Sequence, residues 1–311
     1  MVDTIPAWMI SSFSRAVTNL GGSASPEEIK AAATQLAQRW SDPQRHHHNT
    51  EHLREILENV DLLANQARNA DAVRLAAWYH GAIFDVSSDA VDRGEGGVNI
   101  MASADFAADE LSRLGVSEAN VSLVVGLVRS LHRHNPPDDI DAQVLSDADL
   151  AVLASDPEQY HDYQVAIRKE YGAFSDSQFV SARRAVLESL LARPQLYFTH
   201  GAQVWEEPAR ENIRAELERL NKTNTAGLSL PADDSADTAR QSSETSTPAS
   251  QAQVEESDET TDSQLDGDIN PYSPTEAADL GSTLETAGEV MDTLVMKAIK
   301  TDGIPLKPMS D

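Results

Sequence analysis

Every tryptophan and every phenylalanine in this chain lies before residue 206, and beyond that point Tyr272 is the only aromatic residue. A segment without large apolar side chains cannot offset the entropy lost when it is ordered. The 311 residues therefore divide into a folded region, 1–220, and a tail, 221–311, rich in Ser, Thr, Asp and Glu and expected to stay unfolded. About 220 residues are ample for a single hydrophobic core.

The charge is divided as unevenly as the aromatics. The formal net charge is −27, and residues 221–311 hold 18 Asp/Glu against 5 Lys/Arg, or 5 − 18 = −13. The other 220 residues carry −27 + 13 = −14. An excess of acid in both parts argues against general nucleic-acid binding, which needs Lys and Arg against the phosphates. There is no cysteine, so disulfides and thiolate ligands are excluded. The first residues lack a basic start with an apolar run, and no stretch approaches the roughly 20 apolar residues that cross a bilayer. The expectation is a soluble cytoplasmic protein with no membrane segment.

Apolar residues recur at helical spacing throughout the first part. Trp8, Met9, Phe13, Ala16, Val17 and Leu20 share a face, and Gly21-Gly22 ends that helix. Ser25, Pro26 and Glu28 announce the next with an N-cap, a first-turn proline and a capping box. Asn49 or Thr50 caps a third helix, with Leu53, Ile56, Leu57, Val60 and Leu63 inside. Asp71 is expected to cap a fourth, running from Ala72 to about Phe84. Val86 to Val98 reads as a loop, and helices follow near 100–114, 117–134, 141–153, 157–171, 177–192 and 208–220. No segment alternates with period two, so the expectation is an all-α bundle of about eight to ten helices. Inside the tail, residues 286–300 form one amphipathic island, too short to be stable alone and suited to a protein partner's groove.

Three polar features stand out on this helical background. His48 sits at a helix start, His80 closes another helix within AAWYHGAIFD (Ala76 to Asp85), and Asp147 lies in SDADL. Imidazole and carboxylate suit divalent transition ions, and ligands on separate helices converge inside a bundle. A hydrogen-bonded core histidine is the plainer alternative for each.

RHHHNTEHL, LAAWYHGAIFD, LSDADLAVLAS, YQVAIRKEYG, ARRAVLESLLAR, QLYFT and EEPARENIRAELERL occur in this order between residues 45 and 220. Together they resemble the predicted metal-dependent phosphohydrolases of the HD superfamily, a bacterial branch with RHYHT-like, WFHDAVYD-like and DADLAILG-like motifs. The resemblance covers most of the first 220 residues and none of the tail. It implies an HD-domain-like helical bundle holding one or two divalent ions (Mn, Fe, Mg or similar) through a His…His-Asp…Asp set. His48 matches the first histidine, His80 the histidine of the pair, and Asp147 the last aspartate. The aspartate of the pair falls on Gly81, which has no side chain to ligate with, and Ile100 stands where the family has the glutamate of an Asn-Glu pair.

Three readings of Gly81 follow: Asp85, Glu95 or a water replaces the lost ligand; the site is empty and the fold serves as a ligand- or partner-binding module; or the ligands lie elsewhere. In a live site the resemblance implies hydrolysis of a small phosphate ester or nucleotide by a metal-activated water. His132 would then be a general acid or further ligand and Arg45 the cation beside the phosphate. A solvated helix end is the plain reading of His132 and His134, and inter-helix ion pairing that of Arg168, Glu170, Arg183 and Arg210. His46 and His47 read as loop residues.

Overall fold

The computed structural model describes residues 5–87, 89–90, 96–132, 136 and 138–226, with side chains to residue 222. Among these it is all-α, with ten α-helices. The last helix runs through residues 221–226, six positions past the expected boundary at 220; the rest of the expected tail, with its island at 286–300, lies outside the described residues.

Local signals in the sequence set most helix starts. Helix α1 (Ala7–Asn19) buries Met9, Phe13, Ala16 and Val17. Helix α2 (Pro26–Trp40) begins with the Ser25–Glu28 capping box, both halves of which form. Asn49, not Thr50, caps α3 (Thr50–Leu63). Helix α4 (Ala70–Tyr79) departs from expectation at both ends. Asn69 caps it, because its side-chain oxygen reaches the Ala72 N–H at 3.0 Å, and Asp71 pairs with Arg74 instead. It stops at Tyr79, with His80 as C-cap, and does not reach Phe84.

Beyond α4 the chain forms a ladder of two residues per strand, β1 (Phe84–Asp85) antiparallel to β2 (Gly97–Val98). Period-two alternation cannot reveal strands this short. Helix α5 (Ile100–Arg113) and α6 (Glu118–Ser130) follow, capped by Asn99 and Ser117. Next come α7 (Ile140–Leu150), a 3-10 turn (Ala151–Ala154) and α8 (Pro157–Glu170). A second capping box, Ser175 with Gln178, opens α9 (Asp176–Leu191). A 3-10 turn (His200–Trp205) then leads into α10 (Glu206–Ala226).

Helix α4 lies at the centre, packed against α1, α3, α5, α6 and α7. Seven of its ten residues, Ala72, Val73, Leu75, Ala76, Ala77, Trp78 and Tyr79, are buried. A helix buried over most of its circumference is a core helix, so α4 carries His80 into the interior. None of the described helices is long and apolar enough to cross a membrane.

Candidate metal centre

The loop from Arg45 to Asn49 is built to present histidines. Asn49 Oδ1 accepts the N–H groups of Glu51 (2.9 Å) and His52 (3.2 Å), and its Nδ2 donates to His46 O at 2.9 Å. His47 and His48 are thereby left half-buried beside the start of α3, with His52 buried in its first turn. Glu170, the last residue of α8, closes the loop from the other side. Its Oε2 accepts the N–H of His47 (2.8 Å) and of His48 (3.0 Å), while its Oε1 lies 2.5 Å from His48 Nδ1. Burial alone would raise the Glu170 carboxyl; the His48 ring and these hydrogen bonds outweigh it and hold the carboxyl below its ordinary value.

His80 approaches from α4. Its Nδ1 lies 2.7 Å from Ala77 O, and a carbonyl only accepts, so Nδ1 carries the proton. Nε2 is then a lone pair, buried and without a hydrogen-bond partner. It sits 3.6 Å from Asp149 Oδ1, and the same oxygen lies 3.2 Å from His52 Nε2. Burial pushes the His80 imidazole down to about 4 even though Asp149 opposes the shift, so the ring is neutral at pH 7. His47 is also driven well below its ordinary value, first by burial and then by the neighbouring histidines and Arg183.

Two overlapping donor groups result: His52, His80 and Asp149, and His47, His48 and His52, each with its ligand atoms within 4.8 Å of one another. A divalent ion with tetrahedral bonds of about 2.0–2.1 Å spaces its ligand atoms about 3.4 Å apart. The separations of 3.2 and 3.6 Å to Asp149 Oδ1 fit that spacing, as does the neutral, tautomer-fixed His80.

Of the residues expected from the sequence, His48 and His80 enter these groups and the others do not. Asp147 stands outside both. It is fully buried, and its oxygens accept the N–H groups of Phe198 (2.9 Å) and Thr199 (2.7 Å). Burial raises its carboxyl to about 6, and the two N–H donors oppose the shift. Of the two acids in SDADL, the one whose oxygen reaches His52 and His80 is Asp149. Asp85 is exposed on β1, where its Oδ1 accepts the Ser87 N–H at 2.9 Å, and it joins neither donor group. Glu95 and His134 lie outside the described residues. His132 is half-buried in the turn after α6 and joins neither donor group.

Arg45 is buried beside the loop, its guanidinium over Phe84 (4.5 Å) and Trp40 (5.2 Å). Its Nη1 donates to His48 O at 3.0 Å, and burial lowers its pKa to about 10, which keeps it charged at pH 7. Arg183 forms a buried two-pronged pair with Glu216 (2.7 and 3.0 Å), Arg210 pairs with Glu206, and Arg168 with Asp176.

The Gly81 position is full. A Cβ there would lie 2.4 Å from Trp40 Cη2 and 2.8 Å from Cζ2. The indole is held by its Nε1–H, which donates to Trp78 O at 3.0 Å, and stacks 5.2 Å from the His80 ring. Ile100, at the other position where a polar residue was expected, is buried in the core.

A cleft of about 510 Å3 runs along α3 and ends on His47 and His52. Glu51, Glu55, Glu58 and Asp162 line it, Trp205 forms part of its wall, and no Lys or Arg is among its described lining residues. No protein-family model matches this chain, and neither the curated proteins nor the solved structures include a significant match to it.

The residues in these donor groups that sequence reasoning did not count as candidate ligands are His47, His52 and Asp149, and Glu170, read there as an ion-pairing residue, pairs with His48. For His52 a signal existed: it lies four residues after His48, on the same side of a helix start. For Asp149 the signal was ambiguous, since SDADL offers two acids at i and i+2 that face nearly opposite ways on a helix.

Proposed function

We propose that this protein is a metal-dependent phosphohydrolase of HD-superfamily type, with a rearranged donor set of His52, His80 and Asp149 supplemented from the His47-His48 loop. The observation that carries this is the buried, unpaired Nε2 of His80, held in the ligating tautomer 3.6 Å from Asp149 Oδ1. A buried acceptor left without a partner costs about 1–3 kcal/mol, a cost that an ion would remove. The ordered strings from residue 45 to 220 support the same reading. A bound divalent ion would supply a hydroxide at neutral pH and polarise a phosphoryl oxygen.

The acid-lined cleft selects among substrates. One sign of charge along a cleft repels like-charged ligands, so a small phosphomonoester of low charge suits it better than a nucleoside triphosphate. Residues 286–300 remain the segment offered to a protein partner. The test is metal content and turnover in one preparation, with Mn, Fe, Mg, Co and Zn supplied in turn. About one equivalent of ion and hydrolysis of simple phosphomonoesters are expected, both lost in Asp149→Asn. Less than a tenth of an equivalent, with no turnover under any ion, rejects the reading.

Trp40 filling the Gly81 position favours one second reading, a catalytically degenerate HD-fold module that binds a ligand or partner. In that case Asp149→Asn leaves the protein's phenotype unchanged, while deleting residues 286–300 removes it.

A further inference from the structure

We infer that Glu170 is a positioning residue for the histidine cluster: it fixes the proton of His48 on Nδ1 and so turns the Nε2 lone pair toward the other imidazoles. The inference rests on the metal-site reading above for its purpose, though not for its geometry.

The three acceptor contacts of Glu170 leave little freedom. Oε2 is committed to two successive backbone N–H groups, those of His47 and His48. Oε1 is thereby placed 2.5 Å from His48 Nδ1. Both Oε2 contacts are with N–H donors, so toward the loop the Glu170 carboxyl acts as an acceptor. A carboxylate at that distance requires the proton on the imidazole side, at Nδ1. Ligating histidines are oriented in this way by a carboxylate or carbonyl on the far ring nitrogen. His80 is held the same way by Ala77 O. Two histidines from different elements therefore have their tautomers set by separate acceptors, which a packing role alone would not require.

The arrangement also accounts for the end of α8. Glu170 is 122 residues from His48 in the chain, yet it meets the loop with three hydrogen bonds and is nearly inaccessible to solvent. An ion pair serving only to join α8 to the loop needs one oxygen, not both.

Glu170→Gln isolates the effect. The amide oxygen must keep facing the two backbone N–H groups, which puts the NH2 group against His48 Nδ1. That group donates, so the imidazole proton moves to Nε2, where it blocks ligation. Long-range 1H–15N spectra of the metal-free protein should show His48 as the Nδ1–H tautomer in the parent and as Nε2–H in Glu170→Gln. Circular dichroism checks that both are folded. Co2+ titration of the same proteins should show affinity lower by about 10–100-fold in Glu170→Gln, with partial recovery in Glu170→Asp. A His48 tautomer unchanged by Glu170→Gln overturns the inference whatever the metal result. A switched tautomer in a protein that binds no Co2+ even as the parent upholds the positioning and rejects the metal reading instead.

Discussion

Gly81 stands where a ligating aspartate was expected, and its neighbours show the position to be filled by packing. Trp40 occupies the volume a side chain at 81 would need, is itself fully buried, and is fixed by its bond to Trp78 O. Restoring an acid by Gly81→Asp should therefore not restore a ligand. Overpacking a filled core site costs about 1–3 kcal/mol, and an unpaired buried carboxylate adds to that. Urea unfolding should show the loss, and Gly81→Asp combined with Trp40→Leu should recover part of it. The sequence made the missing side chain visible and hid what had replaced it, because Trp40 is 41 positions away and only folding brings its ring to the glycine.

At the scale of elements, four carboxylates do one job. Asp141 accepts the N–H groups of Arg68 and Asn69 ahead of α4, and Glu170 those of His47 and His48 ahead of α3. Asp147 accepts those of Phe198 and Thr199, and Glu206 those of Leu196 and Tyr197. Each binds two consecutive donors of a connecting segment that would otherwise be short of acceptors. Asp147→Ala should leave two such donors unsatisfied, at about 1–3 kcal/mol each, while metal content per folded molecule stays near that of the parent. Asp149→Asn should do the reverse, with little change in stability and loss of the ion. Denaturation and metal analysis on the two variants check this. Helices and caps were legible because they are local: capping boxes, periodic apolar faces and glycine stops lie within a few residues. Three of the clamps were not, since they join residues 51 to 123 apart, and so nothing in the sequence signalled that Asp147 in SDADL braces the segment at Phe198 and Thr199.

For the molecule as a whole, burying neutral histidines makes stability depend on pH. The folded pKa of His80 is depressed to about 4 from an ordinary 6.5, and His47 is lowered as well. A depressed pKa gives stability that is present above about pH 6.5 and is lost as pH falls toward 4, because the unfolded chain takes up the proton first. His80 alone is worth about 3 kcal/mol over that span. Chelator-treated protein should thus unfold at markedly lower urea at pH 5 than at pH 7, and His80→Gln should flatten the difference. The aromatics led to an expected division at about residue 220, and the last helix runs past it to Ala226. Of the histidines and acids that cluster at the candidate centre, His52 and Asp149 were missed, since they sit on faces that the sequence alone does not orient.

The clamp between Glu170 and the histidine loop also has a consequence for how the protein is made. His48 leaves the ribosome 122 residues before the carboxylate that orients it. During that interval the N–H groups of His47 and His48 lack their acceptor, and the imidazole is free to exchange tautomers. Helices α1 to α4 can begin to associate as they emerge, but the histidine loop gains its carboxylate acceptor only when the end of α8 has been synthesised.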